Sequence, residues 1–389
     1  MENFEFKNCT KIIFGKGSEK KVGNEVKKYG NKVLLLYWGG SIKKYGIYDK
    51  VISSLNEAGL QVTELGGVRS NPTLDKVREG VKICKQENID IVLAVGGGSV
   101  IDTAKGIAVG TPHSGDVWEF AEKKATPQKA LPIGVVLTIP AAGSESSQYA
   151  VITNTEGEYP LKRDLVWENN ALIRPKFAIL NPEFSYSLSP YQTACGVIDI
   201  MAHVMERYFT KVKHVELTDR MCEAVMKTAI NNGRIIANEP KNYDARAEIM
   251  WAGSLAHNDL LDTGRGGDWA SHFIGMELSA VYDVAHGASL SLIFPAWMKY
   301  VYKFSSNKLI QFATRVWNVD YDFYKPERTV LEGIRRYEAF CKELGLPIRL
   351  SEVDIGDEKF EEMAKNMIPT GDLKEIQTED ALEILKLAK

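Results

Sequence analysis

Short apolar runs alternate with amphipathic stretches along the first half of the chain. Residues 31–40 (NKVLLLYWGG), 60–67 (LQVTELGG), 89–99 (IDIVLAVGGGS), 131–140 (LPIGVVLTIP) and 177–182 (FAILNP) are apolar stretches that end in Gly, Ser or Pro. Helical patterns lie between several of them, as in 74–89 (LDKVREGVKICKQENI). Such alternation predicts a parallel sheet covered on both faces. After about residue 185 the period changes. Stretches 190–209, 215–237, 243–261, 284–301, 328–344 and 358–367 repeat every 3.6 residues and show no convincing strand, which predicts helices. The change falls in 180–190 (LNPEFSYSLSP), where prolines and serines punctuate the chain. Two domains follow: an α/β domain at 1–185 and an all-α domain at 186–389.

Length and composition agree with two cores. The chain has 389 residues, 44% hydrophobic and 25% charged, with a formal net charge of -3. No basic excess points to nucleic acid, and no apolar run has the length of a membrane span. The N-terminus lacks the apolar core of a signal peptide. Cys9, Cys84, Cys195, Cys222 and Cys341 form no CxxC pair, so a reduced, cytoplasmic protein is expected.

Residues 94–106 (AVGGGSVIDTAKG) follow an apolar strand and open a helix. Glycines there let a ligand approach the backbone, and a helix N-terminus offers N–H groups to an anion such as a pyrophosphate. The spacing departs from G-x-G-x-x-G, because Ile101 stands at the third glycine position. The plainer alternative is a tight strand–helix turn with Ser99 as N-cap. Asp102 reads either as a first-turn acid paired with Lys105 or as a contact to ribose or nicotinamide. A second glycine turn, 34–46 (LLLYWGGSIKKYG), presents Gly39, Gly40 and Ser41, then Lys43 and Lys44. An NAD site usually places an acid at such a strand end. Its absence favours NADP(H) over NAD(H).

Asp199 and His203 are one helical turn apart in 196–209 (GVIDIMAHVMERYF), beside an apolar stripe of Ala194, Ile198, Met201, Met205 and Tyr208. The polar face continues to Glu206 and Thr210. It reads either as solvent-facing or as half of a metal site. Among the six histidines, His272 and His286 are 14 residues apart, about 21 Å in one unbroken helix. A helix break in VYDVAHGAS, with Gly287 next to His286, brings them within reach of one ion. Three imidazoles and Asp199 would then suit Fe(II) or Zn(II). His113 and His214 read as solvated, and His257 as a core histidine that could also line the site.

The stretches GGGSVIDTAK (96–105), TIPAAGSES (138–146), GVIDIMAHVME (196–206) and ELSAVYDVAHG (277–287), in this order and spacing, resemble the iron-containing (group III) alcohol dehydrogenase family. The similarity is greatest to its NADPH-using butanol dehydrogenase and aldehyde reductase branch. It implies a Rossmann-like N-terminal domain and a helical C-terminal domain, in the dehydroquinate synthase-like fold. It implies that Asp199, His203, His272 and His286 bind the metal and carry catalysis. It further implies that Gly39, Gly40, Ser41, Asn71, Gly97, Gly98, Ser99, Asp102, Thr138 and Ser144 line the cofactor. Lys162 joins them, although GEYPLKRDLVWEN fits the family pattern poorly. The family commonly has a histidine where this chain has Met276, which leaves the proton route open.

The function so implied is reversible reduction of short-chain aldehydes, such as butyraldehyde, to primary alcohols. It would use NADP(H), or NAD(H), and one divalent cation: Fe(II) first, Zn(II) or Co(II) otherwise. Trp251, Trp269 and Phe273 read either as apolar walls for an alkyl chain or as core aromatics. The expected partners are a small-molecule substrate and a second copy in a homodimer. Two other functions are compatible with the architecture: a polyol (glycerol-type) dehydrogenase, and a nucleotide-binding sensor without activity.

Overall fold

The computed structural model describes residues 1–389 apart from Val166, Glu168 and Asn169, with the backbone alone for Asn170. The chain divides into two compact units: Asn8–Ser187, and Leu188–Lys389 together with Met1–Lys7. Among the described residues, no helix is long and apolar enough to cross a membrane.

The first unit contains strands β1 (Lys11–Phe14), β2 (Lys32–Tyr37), β3 (Gln61–Leu65), β4 (Ile91–Gly96), β5 (Ile133–Leu137), β6 (Val151–Asn154), β7 (Leu161–Asp164) and β8 (Phe177–Leu180). Its helices are α1 (Val22–Val26), α2 (Ser41–Lys44), α3 (Ile47–Glu57), α4 (Leu74–Glu87), α5 (Gly98–Gly110) and α6 (Trp118–Ala121). Six strands form one sheet in the order β1-β8-β5-β4-β2-β3, with every pairing parallel. Strands β4 and β5 are buried along their whole length, which is why they read as continuous apolar runs.

The strand order reverses at β2 and β4. From β2 the chain runs outward to β3, returns to β4 and continues to β5 on the other side. Tyr37 lies opposite Val95, so the turns that leave β2 and β4 emerge side by side at the carboxyl edge. That edge is the usual ligand crevice of an open parallel sheet. β6 and β7 form a separate antiparallel hairpin tied to the loop after β3, with Thr153 N–H donating to Pro72 O at 2.8 Å.

The second unit is helical: α7 (Pro190–Tyr208), α8 (Glu216–Asn238), α9 (Tyr243–Ala256), α10 (Ala270–Tyr282), α11 (His286–Val301), α12 (Asn307–Arg315), α13 (Pro326–Glu343), α14 (Phe360–Asn366) and α15 (Thr378–Ala388). A capping box between Ser189 and Gln192 starts α7, with Pro190 in its first turn. From Gly196 to Tyr208 this helix is buried on all sides, flanked by α8 and α11. Gly233 of α8 permits the close approach, because a Cβ there would lie 3.0 Å from Val197.

Candidate metal centre and nucleotide cradle

Burial of α7 overturns the solvent-facing alternative for its polar face. Asp199, His203, Glu206 and Thr210 are all buried. His272 enters from α10, and His286 is the first residue of α11. The break between those helices falls within VYDVAHGAS as expected, at Asp283, which takes the left-handed conformation (φ 52°). Gly287 has a different task. A Cβ there would fall 2.0 Å from the backbone oxygen of Cys195, so only glycine lets the first turn of α11 lie against α7. His286 is thereby brought to Asp199, with its Nε2 3.7 Å from Oδ1.

One nitrogen each from His203, His272 and His286 lies within 4.8 Å of the others. His203 Nδ1–H donates to the backbone oxygen of Asp199 at 2.9 Å. His272 Nδ1–H donates to Oε1 of Glu206 at 3.1 Å. Carbonyl and carboxylate oxygens only accept, so both rings carry the Nδ1 proton and leave Nε2 for an ion. Asp199 Oδ1 is buried and accepts no hydrogen bond, although His203 Nδ1 lies 3.1 Å away. Burial pushes the Asp199 carboxyl up, but the imidazoles of His286 and His203 outweigh it and hold the group below the usual carboxylate range. Burial likewise pushes His203 down, and the Asp199 charge reverses the shift. Three imidazole nitrogens beside an unsatisfied carboxylate oxygen form a donor set that fits a divalent transition metal.

Aromatic rings surround this cluster. Trp269 packs edge-on to His272 at 5.5 Å, and the Arg207 guanidinium sits over its ring at 4.7 Å. Phe273 lies 6.2 Å from His272. Trp269 and Phe273 are half-buried against the imidazoles and Trp251 is exposed; of the three, Phe273 also packs against the helical core. His257 is not a core histidine. It caps the end of α9, half-buried, with its ring 4.7 Å from that of His203. Met276, one turn beyond His272, is buried.

The residues expected to line the cofactor lie along the carboxyl edge of the parallel sheet. Gly39, Gly40 and Ser41 follow β2, and Gly97, Gly98 and Ser99 follow β4. The N-cap of α5 is Gly97, not Ser99, and no side chain caps the helix. Its first N–H groups are therefore left for a ligand. A Cβ on Gly97 would press to 2.9 Å from Ile139, whereas one on Gly98 would meet nothing within 4 Å. Thr138 leaves β5 beside this turn, its N–H donating to Gly96 O at 3.0 Å.

Behind the turn is a chain of hydrogen bonds. Lys105 Nζ, fully buried, donates to Ser144 Oγ at 2.7 Å and to Tyr149 O at 2.6 Å. Ser144 Oγ donates to Asp102 Oδ1 at 2.6 Å, and Val151 N–H donates to Oδ2 at 3.0 Å. Burial pushes the Asp102 carboxyl up, against the pull of Lys105. Lys162, which the motif placed poorly, is buried on β7 and donates to Asn71 Oδ1 at 2.8 Å. Asn71 is left-handed (φ 54°), which turns the loop after β3 toward the hairpin.

Residues 9–182 match the family described as "Iron-containing alcohol dehydrogenase", and residues 193–389 match "Fe-containing alcohol dehydrogenase family, C-terminal". The chain belongs to the iron-containing alcohol dehydrogenase family. It is 43% identical to the probable NADH-dependent butanol dehydrogenase 1 of Bacillus subtilis (strain 168), over 99% of each chain. It is 35% identical to the NADPH-dependent aldehyde reductase YqhD of Escherichia coli (strain K12), over 94% of this chain and 93% of the relative. The crystal structure of NADH-dependent butanol dehydrogenase A from Thermotoga maritima superposes with a TM-score of 0.95 at 38% identity, covering 100% of this chain and 99% of that one.

Within this family architecture, three further residues contribute through contacts that only the fold creates. The i,i+3 spacing makes Lys105 an ion-pair partner of Asp102, yet their closest approach is 3.9 Å and its hydrogen bonds go to residues about 40 positions away. Glu206 lies on the polar face of α7, and its spacing of three from His203 puts it beside the site. Arg207, fully buried, donates to the backbone oxygen of His203 at 2.8 Å and to Asp262 at 2.8 Å. No local signal marks it, because both partners depend on tertiary packing.

Proposed function

We propose that the chain reversibly reduces short-chain aldehydes, such as butyraldehyde, to primary alcohols, using NADP(H) and one divalent cation held by Asp199, His203, His272 and His286. The supporting observation is the trio of imidazole nitrogens within 4.8 Å of one another, beside a buried carboxylate oxygen that accepts nothing. The names of the relatives, butanol dehydrogenase and aldehyde reductase, support the substrate class. Fe(II) is the cation of choice on family grounds, and the donor set also accepts Zn(II) and Co(II).

A cation bound there supplies Lewis acidity toward a carbonyl oxygen. The nicotinamide, when bound, supplies the hydride. The chain's own residues position and shield. Trp269 and Phe273 flank the imidazoles with apolar surface that suits an alkyl chain and excludes water. The uncapped N-terminus of α5, with Gly97 and Gly98, binds the pyrophosphate. Lys105, through Ser144, holds Asp102 in place behind that turn. His257 gives the centre a polar ring edge, which Met276 lacks.

NADP(H) is preferred because no acid lies on the 39–44 turn. Glu64, on the neighbouring strand, is already engaged: Tyr37 and Tyr48 donate to its two oxygens at 2.8 and 2.6 Å, and these bonds hold its carboxyl below the usual range. Lys43, half exposed at this edge, lies 3.9 Å from Glu64 and over the Tyr37 and Tyr48 rings, and in this proposal it turns from that long ion pair to a 2'-phosphate. The free thiols Cys9, Cys84, Cys195, Cys222 and Cys341 support a reducing compartment, and a homodimer is part of this proposal. The test compares kcat/KM for butyraldehyde with NADPH and NADH, and for glycerol as a polyol substrate. Higher values for butyraldehyde and for NADPH are expected. A preference for glycerol would move the reading to a polyol dehydrogenase, and a preference for NADH would overturn the assignment of Lys43.

A further inference from the structure

We propose that Glu206 is a positioning residue of the metal centre, one that fixes the tautomer and register of His272 and supplies a second carboxylate beside a divalent cation. This inference rests on the reading of the His203–His272–His286 cluster as a metal site.

Three observations converge on Glu206. First, Asp199, His203 and Glu206 are spaced i, i+4, i+7 on α7, so they share one face across two turns, and the Glu206 side chain has no exposed surface. Second, Glu206 holds the approach to α10 at two points. Its Oε1 accepts from His272 Nδ1–H at 3.1 Å, and its backbone oxygen accepts from Asp268 N–H at 2.8 Å. A Cβ on Gly267 would fall 2.8 Å from that same oxygen, so the segment leading into α10 runs tight against α7 at this residue. Third, Oε2 of Glu206 is buried and accepts no hydrogen bond from any described residue.

A buried carboxylate with one oxygen unsatisfied is a poor structural element by itself, and an apolar residue of similar size would pack with less penalty. The adjacent Arg207 does not relieve it, because that guanidinium donates to Asp262 and to the backbone of His203. The arrangement becomes favourable once a divalent cation is present, since Asp199 and Glu206 together offer two negative charges to balance it. His203 and His272 are held differently: His203 Nδ1 faces the backbone oxygen and the carboxylate of Asp199, itself a candidate ligand, whereas His272 Nδ1 is held by Glu206, a carboxylate outside the ligand set. Carboxylate anchoring orients the ring and strengthens it as a ligand.

The test uses the full-length metal-stripped chain with Co(II) as probe. Affinity is read by chelator competition, the ligand field by visible absorption, and folding by thermal unfolding without metal. For Glu206→Gln, Co(II) affinity should fall by about 10- to 100-fold with an altered absorption band. The metal-free unfolding temperature should stay level or rise, because a half-satisfied buried carboxylate has been removed. In a His272→Ala background, Glu206→Gln should lower Co(II) affinity by distinctly less than in the intact site, since the part of its effect that acts through that ring is gone and only its charge is left. Affinity of Glu206→Gln within about twofold of wild type would overturn the inference. So would losses that simply add in the double variant, which decides the matter even where Glu206→Gln lowers the unfolding temperature. A wild-type chain that takes up no Co(II) would overturn the metal reading itself. Uptake by wild type matched by Glu206→Gln would overturn this inference alone.

Discussion

In the nucleotide cradle the polar side chains satisfy one another. Lys105 gives its amine to Ser144 and Tyr149, Ser144 gives its hydroxyl to Asp102, and Val151 N–H fills the other Asp102 oxygen. In the metal centre Oδ1 of Asp199 and Oε2 of Glu206 are buried and accept nothing. Both regions are buried and polar, so the difference lies in what each still lacks. The cradle is a finished scaffold that offers backbone N–H groups to an anion. The metal centre keeps unsatisfied acceptors that a cation would complete. Buried polar groups left unpaired are costly, and two carboxylate oxygens left so in one cluster are what the proposed cation would offset.

The largest effect should come from removing a ligand. His286→Ala is expected to weaken cation binding about a thousandfold, because each donor carries a substantial share of a four-ligand site's binding energy. NADPH binding, followed by nucleotide fluorescence, should stay near wild type. Loss of both together would end the distinction between the regions.

Next is Asp268, the fully bonded counterpart of Asp199 and Glu206. It is buried, and it accepts from the N–H groups of Ala270, Asp372 and Leu373 at 3.3, 2.8 and 2.8 Å. Burial pushes its carboxyl up to about 6. That lies above the unfolded value of about 3.9, so the folded state binds the proton more tightly. The contribution is full below about pH 4 and is lost as pH rises through 6, on the order of 3 kcal/mol. Asp268→Asn has no proton to lose. In metal-free urea unfolding, the stability gap between wild type and the variant should therefore shift by that amount between pH 4 and 7. A gap that does not change with pH would contradict the assignment.

Gly287→Ala should cost about 1–3 kcal/mol through overpacking against α7 and should reduce metal uptake with it. A variant with normal uptake would show that α11 does not need its close contact at Cys195. Ser144→Ala, in the cradle, should cost about 1–2 kcal/mol by depriving Lys105 and Asp102 of a shared partner, with cation affinity unchanged. Gly98→Ala is the mildest change to the fold. Its Cβ meets no protein atom within 4 Å, so stability should move by less than about 1 kcal/mol while the KM for NADPH rises.

The same contrast decides what could be read from the chain alone. β2, β4, β5 and β8 are visible as apolar runs because both faces are covered. β1 (KIIF) and the hairpin strands β6 (VITN) and β7 (LKRD) are too short and too polar to stand out. The break between α10 and α11 is legible in VYDVAHGAS, whereas its position at Asp283, a left-handed aspartate, is not, because Gly287 is the stronger local breaker. Asp199 and His203 were legible as a pair by spacing. Their burial was not, because α10 and α11, which cover that face, follow some 70 residues later. Lys162 and Asn71 are 91 positions apart, and only the docking of the hairpin joins them.

The most direct measurement is NADPH-linked reduction of butyraldehyde by metal-stripped protein, titrated with Fe(II) under anaerobic conditions. Turnover that rises to a plateau at one Fe(II) per chain, and stays absent in His203→Ala, is the predicted result. Full turnover without added metal, or in His203→Ala at the same metal content, would contradict the account.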